Sequence, residues 1–172
     1  MKNILLIISF VLCNTFAVAQ TSRYFDVKVT PTKISKHIEL TPKNISDVRP
    51  KNSGHCNNSC ICKNEDTFNK LVTSIVKSAF KGIDQEDISL LKQFKFSFTF
   101  DSSMKIVYFR FTFYEKYADR IMKLEKNMYD LSQKFLYMDI SPYFEVEDSS
   151  LFQYAQWTIP LYNLFTSEPS KQ

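Results

Sequence analysis

Between residues 94 and 100 every second position is phenylalanine, with Lys95, Ser97 and Thr99 in between. That period of two is the pattern of a strand with one buried face and one polar face. After the polar stretch Asp101-Ser102-Ser103-Met104, the alternation resumes from Lys105 to Tyr114, placing Val107, Phe109, Phe111 and Phe113 on one side. Two such runs joined by a short polar turn predict an antiparallel hairpin. A third alternating run, Leu151 to Phe165, sets Trp157 and Ile159 against Tyr154 and Thr158, with Pro160 suited to an edge or a bulge because proline cannot donate to a ladder.

Elsewhere the period changes to that of a helix. Phe68, Leu71, Val72, Ile75 and Ala79 recur at spacings of three and four behind Asn64-Glu65-Asp66, a cap and an acidic first turn, and the run stops at Lys81-Gly82. Ile121, Leu124, Met128, Leu131 and Phe135 repeat the same spacing, with charged residues on the far side. Asp84 to Leu91 adds a short helical turn.

The order helix, strand, strand, helix, strand predicts an α+β domain: a three-stranded antiparallel sheet with two helices on one face. It spans residues 64–166 and is followed by a polar tail, 167–172. Residues 20–63 hold Pro31, Pro42 and Pro50 among many Lys, Ser and Asn, with alternation only in short patches such as Phe25, Val27 and Val29. This composition predicts an extended arm carrying at most a couple of short strands.

The first nineteen residues are a different kind of segment. One cation, Lys2, precedes an apolar run from Ile4 to Leu12, and Ala17-Val18-Ala19 stands before Gln20. That is the layout of a secretory signal peptide cleaved between Ala19 and Gln20. Asn14 and Thr15 interrupt the run before it reaches the ~20 residues a membrane span requires, so the cleaved chain is expected not to span a membrane. The bulky Leu12 before Cys13 disfavours lipidation. The expected location is the periplasm or the medium.

Composition then narrows the function. With 44% hydrophobic and 15% aromatic residues in a chain of 172, there is enough apolar content for one packed core. Only two glycines, Gly54 and Gly82, leave no glycine-rich loop for a nucleotide phosphate. A net charge of +4 from interleaved 22 basic and 18 acidic residues makes nucleic acid an unexpected partner. Acid pairs such as Glu145 with Glu147, or Glu86 with Asp87, lie in polar stretches and read as solvated surface. No Gly-x-Ser-x-Gly elbow presents a serine to His37 or His55. No catalytic residue and no cofactor are expected.

The remaining chemistry lies in His55-Cys56-Asn57-Asn58-Ser59-Cys60-Ile61-Cys62. His55, Cys56, Cys60 and Cys62 are candidate soft metal ligands, although structural zinc favours two separated ligand pairs. In an oxidising compartment the plainer expectation is a small disulfide loop from Cys56 to Cys60 or Cys62, leaving one thiol over. The spacing Cys-x-x-x-Cys-x-Cys matches neither a redox Cys-x-x-Cys nor a haem-attachment motif.

The helix Phe68 to Phe80, the strand pair Phe94 to Asp101 and Ile106 to Thr112, and the closing Gln156-Trp157-Thr158-Ile159-Pro160-Leu161 resemble, over residues 64–165, the C-terminal domain of TonB-type energy transducers. That resemblance implies a final strand that pairs with an outer-membrane transporter. Departures are Asp101-Ser102 where the family has Asp-Gly, and a cleavable signal where it has an anchor and a proline-rich spacer. The chain also looks like the small exported proteins without assigned activity found in Bacteroidota.

The first expectation is therefore a non-enzymatic exported module that contacts an unknown protein through a sheet edge, with Tyr154, Gln156, Thr158 and Tyr162 on the partner-facing strand. A TonB-like component and a redox or metal-binding protein built on Cys56 to Cys62 are the alternatives.

Overall fold

The two phenylalanine-bearing runs pair as expected. In the computed structural model, which describes residues 22–45, 60–146, 154–161 and 164, they form β4 (Phe94–Asp101) and β5 (Ile106–Tyr114). They run antiparallel with Phe94 opposite Phe113, Phe96 opposite Phe111 and Phe98 opposite Phe109. Asp101 makes the turn: its carboxylate accepts from Ser103 N and Oγ, its carbonyl accepts from Met104 N, and Met104 takes a left-handed φ of 60°. One face position differs from the sequence pattern. Thr99 opposes Tyr108 while Phe100 opposes Ile106, so Val107 is an extra residue that shifts the register. Ile106, in place of Val107, joins the phenylalanines in the core.

The sheet is wider than the predicted three strands. The chain ahead of residue 64 supplies β1 (Phe25–Pro31) and β2 (Lys36–Pro42), and β7 (Tyr154–Pro160) closes the other side. The result is a five-stranded antiparallel sheet in the order β1-β2-β5-β4-β7, with a separate two-stranded sheet of β3 (Cys60–Cys62) and β6 (Phe144–Val146). The expected three-stranded sheet is thus corrected to five strands plus two. The physical reason lies in the alternation that proline and lysine obscured: Ile38 and Leu40 of β2 are buried, opposite Phe113 and Phe111 of β5. Pro31 and Pro42 stand at strand ends, where a missing N–H interrupts little. Thr32 and Ser35 close the β1–β2 turn, Thr32 N donating to Ser35 O at 2.7 Å.

The long first helix, α1 (Glu65–Ala79), begins where predicted, with Asn64 Oδ1 accepting from Thr67 N. α2 (Gln85–Leu90) is capped by Asp84, whose Oδ1 accepts from Asp87 N at 2.8 Å. The second amphipathic stripe is divided between a short turn, α3 (Ala118–Ile121), a tighter turn at Met122–Leu124, and α4 (Glu125–Phe135). Its predicted positions Ile121, Leu124, Met128, Leu131 and Phe135 are all buried. α1 packs on α4, and Asn127 Nδ2 donates to Ala79 O at 2.8 Å.

Between helices and sheet lies a layer of aromatic rings. Phe135 of α4 reaches Phe96, Phe98 and Phe109 with ring centroids at 5.4, 6.0 and 5.6 Å. Phe68 of α1 contacts Phe98 and Phe144, and Phe144 in turn contacts Phe100 and Trp157. Because Phe135 touches rings from two strands at once, Phe135→Ala is expected to lower stability by about 3–5 kcal/mol. Chemical denaturation of the variant beside the parent protein measures the loss.

Candidate functional site

The face opposite the phenylalanines is polar. Alternation and register place on it His37, Glu39 and Thr41 of β2, Tyr108, Arg110, Thr112 and Tyr114 of β5, Lys95, Ser97 and Thr99 of β4, and Tyr154, Gln156 and Thr158 of β7.

These residues form a connected ladder centred on Arg110. Its Nη1 donates to Glu39 Oε2 at 2.7 Å, and its Nη2 donates to Gln156 Oε1 at 3.2 Å. Glu39 lies on β2 and Gln156 on β7, so the guanidinium, carried by β5, reaches across β4 and ties four strands together. Glu39 Oε1 also accepts a longer bond, 3.5 Å, from Tyr108 Oη, whose partner at 3.0 Å is Thr41 Oγ1. A hydroxyl has one proton to give, so with Tyr108 donating to Glu39, Thr41 donates to Tyr108. On the β7 side Ser97 Oγ and Thr158 Oγ1 are 2.9 Å apart.

The span of Arg110 explains a burial that strand periodicity does not predict. Ser97 and Thr99 belong to the polar face, yet they are 4% and 2% exposed, and Tyr108 beside them is 2% exposed. Two polar atoms in this patch, Thr99 Oγ1 and Arg110 Nε, are buried with no hydrogen-bond partner. Buried polar groups are ordinarily paired, and each unpaired hydroxyl costs ~1–3 kcal/mol. Glu39 and Arg110 are mostly buried as an ion pair, which fixes geometry more than it adds stability. The patch is a connected array of donors and acceptors, part of it buried.

The cysteine segment lies elsewhere. Cys60 and Cys62 stand on β3 opposite Val146 and Phe144 and pack against the edge of the core as free thiols. They are not joined to each other: two residues apart on one strand they are separated by about 6.6 Å of rise with parallel Cβ directions. Burial pushes the Cys60 thiol up from 9.0 to about 11, with the charge of Cys62 adding to it. Burial also raises Cys62, against the lowering effect of the Asn64 backbone N–H. His55 and Cys56, the other members of the proposed metal or disulfide set, lie outside the described residues, as do the cleavage residues Ala19 and Gln20 and the strand residue Tyr162. Among the described residues no three metal-ligating side chains converge. Tyr154, Gln156 and Thr158 stand together on β7, at the end of the strand order among the described residues.

Sequence reasoning did not single out Glu39, Thr41, Tyr108 or Arg110. The available signal was Arg110 itself, a lone charge within Phe109-Arg110-Phe111, in a strand otherwise built of aromatic and β-branched residues.

No protein-family model matches the chain, and no curated protein matches it. Among solved structures it is similar to a DUF5043 family protein from Bacteroides uniformis, at 13% sequence identity and a TM-score of 0.45, with 81% of this chain and 87% of that one covered. The TonB-type resemblance has no counterpart in these comparisons. No helix among the described residues is long and apolar enough to cross a membrane.

Two outcomes follow from the geometry. Thr99→Val keeps the shape of the side chain and removes an unpaired buried hydroxyl, so it is expected to raise stability by ~1 kcal/mol; a midpoint at or below the parent's contradicts this. For Cys60, the shift from 9.0 to about 11 leaves about 100-fold less thiolate at neutral pH, and alkylation should be slower than for a free thiol, by about tenfold or more once the greater nucleophilicity of the remaining thiolate is counted. The raised value means that the folded chain holds this proton more tightly than the unfolded one. Its stabilising contribution is thus complete below pH 9 and fades as pH rises toward about 11. Urea midpoints of the parent and Cys60→Ala should converge over that range.

Proposed function

We propose that this chain is an exported, non-catalytic module that binds a protein partner along β7, at the edge of the sheet where the polar ladder ends. One observation carries this reading. Among the described strands β7 is an edge strand, and its polar-face residues are held from the neighbouring strands, Gln156 by Arg110 and Thr158 by Ser97. An edge strand offers main-chain donors and acceptors to an added strand, and side chains fixed in advance lose less freedom on binding.

The non-catalytic part is supported by the state of the reactive groups. Arg110 is paired with Glu39, and burial favours the protonated, less reactive form of the Cys60 and Cys62 thiols. Export is supported by Lys2, the apolar run Ile4 to Leu12 and Ala17-Val18-Ala19. Ser22, two residues beyond Gln20, is already buried: its Oγ accepts from Phe25 N at 2.8 Å and donates to Glu125 Oε1. Ser22 thus belongs to the described fold although it stands only two residues beyond the expected cleavage point.

A photo-crosslinking residue placed at Gln156 in the native cell tests this reading, with the same residue at Lys70 on α1 as the control. The expected result is a discrete adduct of the exported chain from position 156 and none from 70. An exported chain without a specific adduct at 156, or a chain retained in the cytoplasm, would overturn it.

A further inference from the structure

At the opposite edge of the sheet, we infer that β1 pairs antiparallel with β1 of a second copy, making a two-fold dimer with one continuous ten-stranded sheet. The inference rests on main-chain parity, side-chain exposure and charge, and is independent of the partner proposed for β7.

Parity comes first. In an antiparallel pair, alternate residues direct their N–H and C=O toward the neighbour and the others direct them away. Lys43 N donates to Tyr24 O at 3.0 Å, so Tyr24 and, by alternation, Asp26, Lys28 and Thr30 bond inward to β2. Phe25, Val27, Val29 and Pro31 then face the open edge. Phe25 N agrees with this, since it is taken by Ser22 Oγ from outside the β1–β2 ladder. Val27 and Val29 direct two N–H and two C=O groups outward, and β1 has β2 as its sole neighbour in the sheet of described strands.

Exposure is the second observation. Val27 and Val29 lie on the same face as the buried Phe25, opposite the buried Leu40 and Ile38, yet they are 38% and 39% exposed. This is apolar surface on the helix side of the sheet that the described helices do not reach. A long edge strand of this kind ordinarily carries an inward-pointing charge or a mid-strand proline that blocks self-pairing. Here Pro31 is at the strand's end, and the one central cation, Lys28, has a countercharge two residues away in Asp26.

Charge selects the register. With the two-fold axis at Val27, each Asp26 opposes Lys28 of the other copy on the polar face, and each Val29 opposes Phe25 of the other copy on the apolar face. Val27 exchanges both main-chain bonds with its own counterpart, and Val29 N donates to Phe25 O. With the axis one residue along, the two Lys28 side chains would directly oppose each other, which is unfavourable across a strand pair. The Val27-centred register is therefore the one that a second copy would adopt.

The molar mass of the exported chain by light scattering, from about 5 to about 200 µM, tests the inference through mass action. The expected result is a concentration-dependent shift from one chain mass to two. Val27→Pro removes an outward N–H without touching the β2 ladder, and should abolish the shift while circular dichroism shows the fold retained. Asp26→Lys and Lys28→Asp should each weaken self-association at least tenfold, and an equimolar mixture of the two should restore the dimer. A single chain mass throughout, a dimer indifferent to Val27→Pro, or Asp26→Lys dimerising as well as the parent would each overturn the proposal. If Val27→Pro fails to fold, the charge variants and their mixture decide it alone.

Discussion

The structure depends on the contact between Phe135 and the phenylalanines of β4 and β5. A strand with phenylalanine at every second position has one face that cannot remain in water, and burying such rings contributes more than any other term available to a chain of this size. α4 brings a ring to the centre of that face, where Phe96, Phe98 and Phe109 surround it. α1 then packs on α4 and reaches Phe98 of β4 through Phe68. The hairpin, the helix pair and the small β3–β6 sheet are all arranged around this ring layer, and the polar face is what remains on the other side.

This hierarchy decides which parts of the fold were legible in the sequence. The β4–β5 hairpin, α1 and the buried stripe Ile121 to Phe135 announce themselves because each repeats a period long enough to distinguish strand from helix. The β1–β2 hairpin repeats the same period more briefly, through Phe25, Val27 and Val29 and then Ile38 and Leu40. Its two prolines argued for an arm. The prolines prove to be strand ends, because Pro31 faces the open edge and the β2–β5 ladder stops before Pro42. The bulge at Val107 left no trace in the pattern, since alternation continues through it unchanged and only the pairing with β4 reveals the extra residue.

The candidate site was less legible for a physical reason. Glu39 and Arg110 are separated by 71 residues and meet only because β2 docks beside β5. With a three-stranded sheet in mind, Arg110 is one solvated charge among many; with β2 present, it has a carboxylate on one side and an amide on the other. Tyr154, Gln156 and Thr158 were legible as a set because they share one strand and one face. That Gln156 is held by Arg110 is a tertiary fact, as is the burial of Ser97 and Thr99 on a face whose alternation reads as solvent.

The two sides of the sheet divide the work of the molecule. The aromatic side is committed to stability, and its rings leave no polar group with which to recognise anything. The polar side gives up some stability: it keeps a mostly buried ion pair and two unpaired polar atoms where apolar residues of similar shape would fold as well or better. Such features fix the geometry of the face rather than add to its stability. The sheet's two edges offer main-chain groups in different settings. β7 carries anchored hydroxyl and amide side chains, suited to selecting a partner, whereas β1 carries exposed valines flanked by one acid and one base, whose spacing complements itself about a two-fold axis. The polar face and the two edges of the described sheet thus differ from one another in side-chain chemistry.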